Sequence, residues 1–206
     1  MKKCKAIIFD LGAVILNINY QNTIDEFTQL GVKNAATLYS KKVQTNLFNQ
    51  IETGIISSNA FLKELQKETN NANITQVEQA WNAMLLDLPE ERLHLIKKLK
   101  SNHTIFLLSN TNAIHINAFK KQLGDKKWLA FCKLFDKMYL SHEVGLRKPD
   151  IEIFEYILTE QKLIGEEVFF IDDSPQHIAS AKKLGIHCHH LLDNENVITL
   201  FPDIIL

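Results

Sequence analysis

The residues best suited to chemistry are carboxylates, one lysine and hydroxyls standing at the ends of short apolar runs. Asp10 closes the run KAIIFD, and Ser109, Asn110 and Thr111 lie at the end of HTIFLLS. Arg147, Lys148 and Pro149 follow the run KMYLS, and Asp172, Asp173 and Ser174 end VFFID. A single aspartate in such a place is ordinarily a helix cap or a loop residue. Four polar ends on one edge demand more. Three carboxylates brought together repel one another unless a cation joins them. Oxygen donors of this kind suit Mg²⁺, which keeps several waters and takes one or two carboxylates plus phosphate. A lysine and a hydroxyl beside that ion suit a phosphoryl dianion. The charges of Asp10, Asp172 and Asp173 are then nearly cancelled by the metal and Lys148. An anionic attacker could hardly approach an anionic phosphate otherwise.

The elements that must position these residues follow from the hydrophobic pattern. Segments 5–10, 103–109, 137–141, 168–172 and 186–192 read as strands, mostly short apolar runs of the kind buried on both sheet faces. Helical spacing covers 90–100, 113 to about 134 with a break near Gly124, 151–161, and 175–184 up to Gly185. Strand and helix alternate, so the fold class is α/β with a parallel sheet and right-handed crossovers. Ligands of such sheets sit beyond the carboxyl ends of the strands, where the four polar ends fall. Residues 17–88 have another texture, rich in Asn, Gln and Thr and without a strand. Ile24, Phe27 and Leu30 mark one helix there, and Leu38, Val43, Leu47 and Ile51 suggest a second. Phe61, Leu62 and Leu65 mark a third behind Ser57 or Ser58. Val77, Trp81, Met84 and Leu85 mark a fourth, for which Thr75 and Glu78 form a capping box.

The chain has 206 residues, 46% hydrophobic and 23% charged, with net charge −1. These values exclude disordered, collagen-like and coiled-coil chains and argue against a general nucleic-acid or anionic-membrane binder. Cys4, Cys132 and Cys188 are odd in number and widely spaced, so they make no disulfide framework. A reducing compartment fits, and no apolar run reaches membrane-spanning length. The expectation is a cytoplasmic protein, monomeric or weakly dimeric, whose partner is a small phosphorylated molecule. His187, Cys188, His189 and His190 invite a metal reading, but a strand points alternate residues to opposite faces, so they read as a terminal strand.

The pieces FDLGAVIL (9–16), LLSNTN (107–112), GLRKPD (145–150) and FFIDDSPQHI (169–178) resemble, in order and spacing, the four motifs of the haloacid dehalogenase superfamily, on its phosphatase side. The resemblance spans essentially the whole chain. It implies a Rossmann-like core of 1–16 and 89–206 with a helical cap, 17–88, inserted after the first strand. It implies Asp10 as the nucleophile, forming an aspartyl-phosphate, with Mg²⁺ on Asp10, the Gly12 carbonyl and Asp173. Asp172 acts through water or orients Lys148. Ser109 and the Asn110 backbone N–H hold phosphate oxygens, and Lys148 neutralises phosphate and nucleophile. A loop between cap helices dips toward the nucleophile, and Glu52-Thr53-Gly54 matches it best, with Gly54 as a substrate contact or as a plain helix stop.

One position departs from the family pattern. The common phosphatase motif is D-x-D, whose second aspartate protonates the leaving oxygen; here that residue is Gly12. General acid–base catalysis is typically worth about 10²–10⁴-fold. Three outcomes stay open: a substrate with an easy leaving group such as a sugar 1-phosphate, a cap residue or ordered water in place of the carboxylate, or a catalytically weak relative that binds a phosphometabolite. Sugar phosphates are favoured. A haloacid dehalogenase reaction through Asp10 is the rival on the same scaffold. Tyr20, Asn17 and Asn19 either line the pocket or solvate a linker. His142 is a candidate proton donor, and Arg147 is expected to pair with a neighbouring carboxylate.

Overall fold

The computed structural model describes residues 4–38 and 46–202, apart from the side chains of Thr37 and Leu38. Five strands form one parallel sheet: β1 (Ala6–Phe9), β2 (Thr104–Ser109), β3 (Lys137–Leu140), β4 (Val168–Asp172) and β5 (His187–His190). Their order is β3-β2-β1-β4-β5. The chain therefore leaves β1 toward one edge and returns to the other side of it at β4. Registers such as Phe9 opposite both Leu107 and Ile171 bring the carboxyl ends of β1, β2 and β4 level. That is the point where ligands bind in open α/β sheets.

Alternation along β1 explains its unbroken apolar run. Ile7 and Phe9 enter the core on one face with Ile105 and Leu107, and Ala6 and Ile8 enter the other with Phe106 and Leu108. Helices α6 (Glu90–Leu99) and α7 (Ala113–Cys132) cover the first face. Helices α9 (Ile151–Gln161) and α10 (Pro175–Lys182) cover the second. Gly124, at φ 74°, breaks α7 into two segments as its sequence suggests. His187–His190 form the edge strand, with His189 paired to Glu195 and His190 against the Asp173 carbonyl.

Between β1 and α6 lie α1 (Tyr20–Gln29), α2 (Ala35–Leu38), α3 (Asn46–Glu52), α4 (Ser58–Lys67) and α5 (Ile74–Asn82). They share an apolar cluster of their own, including Phe27, Phe48, Phe61, Val77 and Trp81. Of the second expected helix, Leu47 and Ile51 fall on α3, whereas Val43 lies outside the described residues. Ser57 caps α4, accepting from the Ala60 N–H at 3.2 Å. The cap of α5 differs from expectation. Asn73, not Thr75, is the N-cap, and Gln76, not Glu78, closes the capping box. Asn73 Oδ1 accepts from the Gln76 N–H at 3.0 Å, and Gln76 Oε1 accepts from the Asn73 N–H at 2.8 Å. Beginning at residue 74 also lets Ile74 pack against the cap cluster.

The two segments joining this bundle to the sheet pair with each other. Ile18 and Leu85 form an antiparallel bridge, and Asn17 exchanges backbone hydrogen bonds with Leu86 and Asp87. Asn17 also donates from Nδ2 to Asp87, and Asn19 caps α1, so both asparagines are structural.

Replacing Asn73 by Ala should destabilise the protein by about 1 kcal/mol in urea unfolding. Thr75→Ala should cost a few tenths at most; equal losses would contradict this assignment of the cap.

Candidate active site

Lys148 is the centre of the site. It is fully buried, and its ammonium meets Asp10 Oδ1 at 2.8 Å, Asp172 Oδ2 at 2.6 Å and the Leu108 carbonyl at 2.9 Å. An ammonium has three hydrogens to donate, and each has an acceptor. Burial alone would lower its pKa, but Asp10 and Asp172 outweigh that and hold it charged above its ordinary value. The segment before it is fixed by Asn110, whose side chain accepts from the Lys148 N–H at 2.9 Å and donates to the Lys148 carbonyl at 2.7 Å. The end of β2 thus grips the backbone of the β3–α9 connection. Ser141, at the start of the short helix α8 (Ser141–Val144), adds a second tie by bonding both backbone groups of Thr111.

The three carboxylates stand together as expected: one oxygen each of Asp10, Asp172 and Asp173 lies within 4.8 Å of the others. They are not equivalent. Asp172 Oδ2 takes Lys148, and Oδ1 accepts from the Ser174 N–H at 2.8 Å and pairs with His177 Nδ1 at 2.9 Å. Burial would raise its carboxyl, but Lys148 and His177 hold it well below the usual range. With both oxygens engaged, Asp172 is arranged to orient Lys148. Asp10 is shifted the other way, because burial and the charges of Asp172 and Asp173 exceed the pull of Lys148. A cluster of hard carboxylate oxygens short of positive charge has the donor chemistry of a Mg²⁺ site.

Asp10, Asp173 and Lys148 face one cavity of about 130 Å³ between the sheet edge and the helical bundle. Asp10, Gly12, Ser109, Asn110, Lys148 and Asp173 line it from the core. Tyr20 and Glu52 line it from the bundle side. Burial and the surrounding carboxylates push the Tyr20 hydroxyl upward, so it keeps its proton and is a donor. Glu52 bonds Arg147, with contacts of 2.9 Å to Nε and 2.8 Å to Nη2, so Arg147 pairs structurally and seats the bundle on the sheet.

Two expected groups sit elsewhere. Gly54 does not line the cavity; at φ 70°, it approaches the His142 carbonyl so closely that a Cβ would collide with it. Its small size therefore serves the contact between bundle and core. His142 does not line the cavity either, and its half-buried ring is not placed to act on a ligand there. Above Gly12 stands Ile18, whose Cδ1 would lie 3.0 Å from a Cβ at that position. Among the described residues, the three atoms nearest that point all belong to Ile18, and none is an acid. Two lining residues, His115 and His177, carried no assigned role in the sequence. His177 belongs to FFIDDSPQHI, five residues after Asp172, and one helical turn brings it back to that carboxylate.

A parallel α/β sheet with a lysine-bridged aspartate cluster at its switch point and a helical insert after β1 is the arrangement of a hydrolase. The haloacid dehalogenase-like hydrolase family matches residues 7–190, and the chain belongs to that family. Among curated proteins it is 31% identical over 190 residues to D-ribitol-5-phosphate phosphatase of Bacteroides thetaiotaomicron, covering 88% of each chain. It is 25% identical over 194 residues to a sesquiterpene phosphatase of Aspergillus oryzae, covering 92% of this chain and 91% of the relative. A solved structure of a family enzyme from Bacteroides thetaiotaomicron, a point variant in complex with magnesium and inorganic phosphate, superposes with TM-score 0.89 at 30% identity. It covers 96% of this chain and 98% of that one.

Lys148→Met should destabilise the metal-free protein by about 3–5 kcal/mol in urea unfolding, because it strands the buried Asp172 charge. A loss below about 1 kcal/mol would show that the ion pair is not the keystone described.

Proposed function

We propose that the protein is a Mg²⁺-dependent phosphatase of small sugar or polyol phosphates, with residues 17–88 as a cap over a core of 1–16 and 89–206. The observation that carries this reading is the placement of Lys148 between Asp10 and Asp172 beside a third carboxylate. The phosphatase relatives and the magnesium and phosphate bound in the similar structure support it. Asp10, the Gly12 carbonyl and Asp173 would hold the ion, which supplies positive charge to the phosphate and the attacking carboxylate; Asp172 would serve it through water or by orienting Lys148.

The residues divide the remaining work. Lys148 fixes one oxygen of Asp10, which directs the carboxylate at the phosphorus and offsets its charge. A bond forms from Asp10 oxygen to phosphorus as the bond to the leaving alcohol breaks. Ser109 and the Asn110 backbone N–H hold the phosphoryl oxygens through this transfer. Water then attacks the aspartyl-phosphate, releasing phosphate and restoring Asp10. The leaving oxygen takes its proton from water or from Tyr20, since Gly12 offers none. The Glu52–Arg147 pair keeps the cap seated while this occurs. A dehalogenase reaction through Asp10 would give the acidic cluster no task.

The purified protein with Mg²⁺ should release phosphate from members of a sugar- and polyol-phosphate panel, and EDTA should abolish that release. Asp10→Asn should eliminate turnover with an unchanged circular dichroism spectrum. Activity on a haloacid that survives EDTA would reverse the assignment.

A second experiment addresses Gly12. Gly12→Asp alone meets Ile18 Cδ1, whereas Ile18→Val removes that atom. The double variant should raise kcat for a simple alkyl phosphate at least about tenfold, within the usual worth of a general acid. An unchanged kcat would mean that leaving-group protonation does not limit the enzyme.

A further inference from the structure

We infer that Nε2 of His115 is a hydrogen-bond acceptor for a hydroxyl of the leaving group, which selects polyhydroxylated phosphate esters against hydrocarbon ones. This rests on the phosphatase reading and goes beyond it by naming the residue that reads the alcohol.

His115 lies in the first turn of α7, six residues after Ser109, and lines the same cavity as Asp10 and Lys148. Asn112 fixes its backbone, accepting from the His115 N–H at 3.0 Å. Its ring is clamped by stacking on Trp81, with centroids 4.8 Å apart and planes 15° apart; Trp81 stacks in turn on Phe48 at 5.6 Å. Asn82, next to Trp81 on the cap, places Oδ1 2.9 Å from His115 Nδ1. An amide oxygen only accepts, so Nδ1 must carry the hydrogen. Burial pulls the imidazole pKa down to about 3, so the ring holds a single proton near neutral pH. That proton is committed to Asn82. Nε2 is therefore a lone pair, and no described protein group bonds it.

An acceptor on the wall of a small, half-open cavity needs a donor when a substrate displaces the water there. A hydroxyl supplies it and a hydrocarbon chain does not. Sites built to bond a substrate hydroxyl reject analogues that lack it far more strongly than apolar pockets reject a methylene. Glu52 is a second acceptor of the same wall, already oriented by Arg147. The tautomer is set by a cap residue while the ring is carried by the core, so this acceptor exists only when the cap is seated. Specificity and closure are then one event.

The test compares wild type, His115→Phe and His115→Gln, with Mg²⁺, on a pentitol 5-phosphate, its single-deoxy analogues, farnesyl phosphate and an aryl phosphate. Wild type should lose about ten- to a hundredfold in kcat/KM on one deoxy analogue and should turn over farnesyl phosphate poorly. His115→Phe, which preserves the stack, should lose a similar factor on the parent, mostly through KM. It should show no further penalty on that analogue and narrow the gap to farnesyl phosphate. His115→Gln, which restores an acceptor, should recover part of the discrimination. An undiminished deoxy penalty in His115→Phe, or none in wild type, overturns the inference and leaves the phosphatase reading standing. No phosphate release from any ester, the aryl phosphate included, overturns both. Should either variant fail to fold, ¹⁵N spectra of the wild type decide: an unprotonated Nε2 that does not titrate between about pH 5 and 8 supports the inference, and a protonated Nε2 overturns it.

Discussion

One buried ammonium organises this molecule. Lys148 has no solvent to lean on, so its charge persists only because Asp10 and Asp172 flank it and the Leu108 carbonyl takes its third hydrogen. Breaking such an arrangement by removing one partner leaves an uncompensated buried charge, which is among the costlier changes a fold can suffer. The arrangement joins β1, β2, β4 and the connection after β3 through a single atom. The same atom fixes the Asp10 carboxylate, so stability and the geometry of the acidic cluster rest on one interaction.

The aspartates around it divide by environment and not by residue type. Asp172 is saturated by Lys148, Ser174 and His177 and is held ionised. Asp10 is buried among like charges with one cation to share, and its carboxyl is raised. Such separation is what neighbouring titratable groups show when their tasks differ. The shortage of positive charge at Asp10 and Asp173 also explains why the cluster suits a divalent ion.

Cap and core meet through two contacts of different character. Oε2 of Glu52 accepts from both Nε and Nη2 of Arg147 beside the cavity, while Phe48, Trp81 and His115 make a continuous ring stack from the helical insert to α7. Segments 17–19 and 84–87 pair as a short antiparallel ribbon, so the helical insert is joined to the sheet through two hydrogen-bonded segments. Gly54 permits a close approach of the insert to the His142 carbonyl. Of the residues in these contacts, Glu52 and His115 also line the cavity.

Much of this was legible in the chain. Strands buried on both faces write themselves as apolar runs, and their polar ends mark the functional edge. Asp10, Ser109, Lys148 and Asp173 stand at or just after those ends, and Gly12 marks the departure from the D-x-D pattern. The choice between the overlapping boxes Asn73-Gln76 and Thr75-Glu78 was not legible, because both satisfy the same local rule and the burial of Ile74 favours the first. The single-turn helix Ser141–Val144 is too short for a periodic signal. His115 reads as a lone histidine on a helix, since its proton is placed by Asn82, 33 residues away in the chain. Sequence determined which elements form and which groups their ends carry, because periodicity and turn chemistry act over neighbouring residues. Only the tertiary structure decided which atom each buried group bonds, because that partner is delivered by another part of the chain once the sheet order is set.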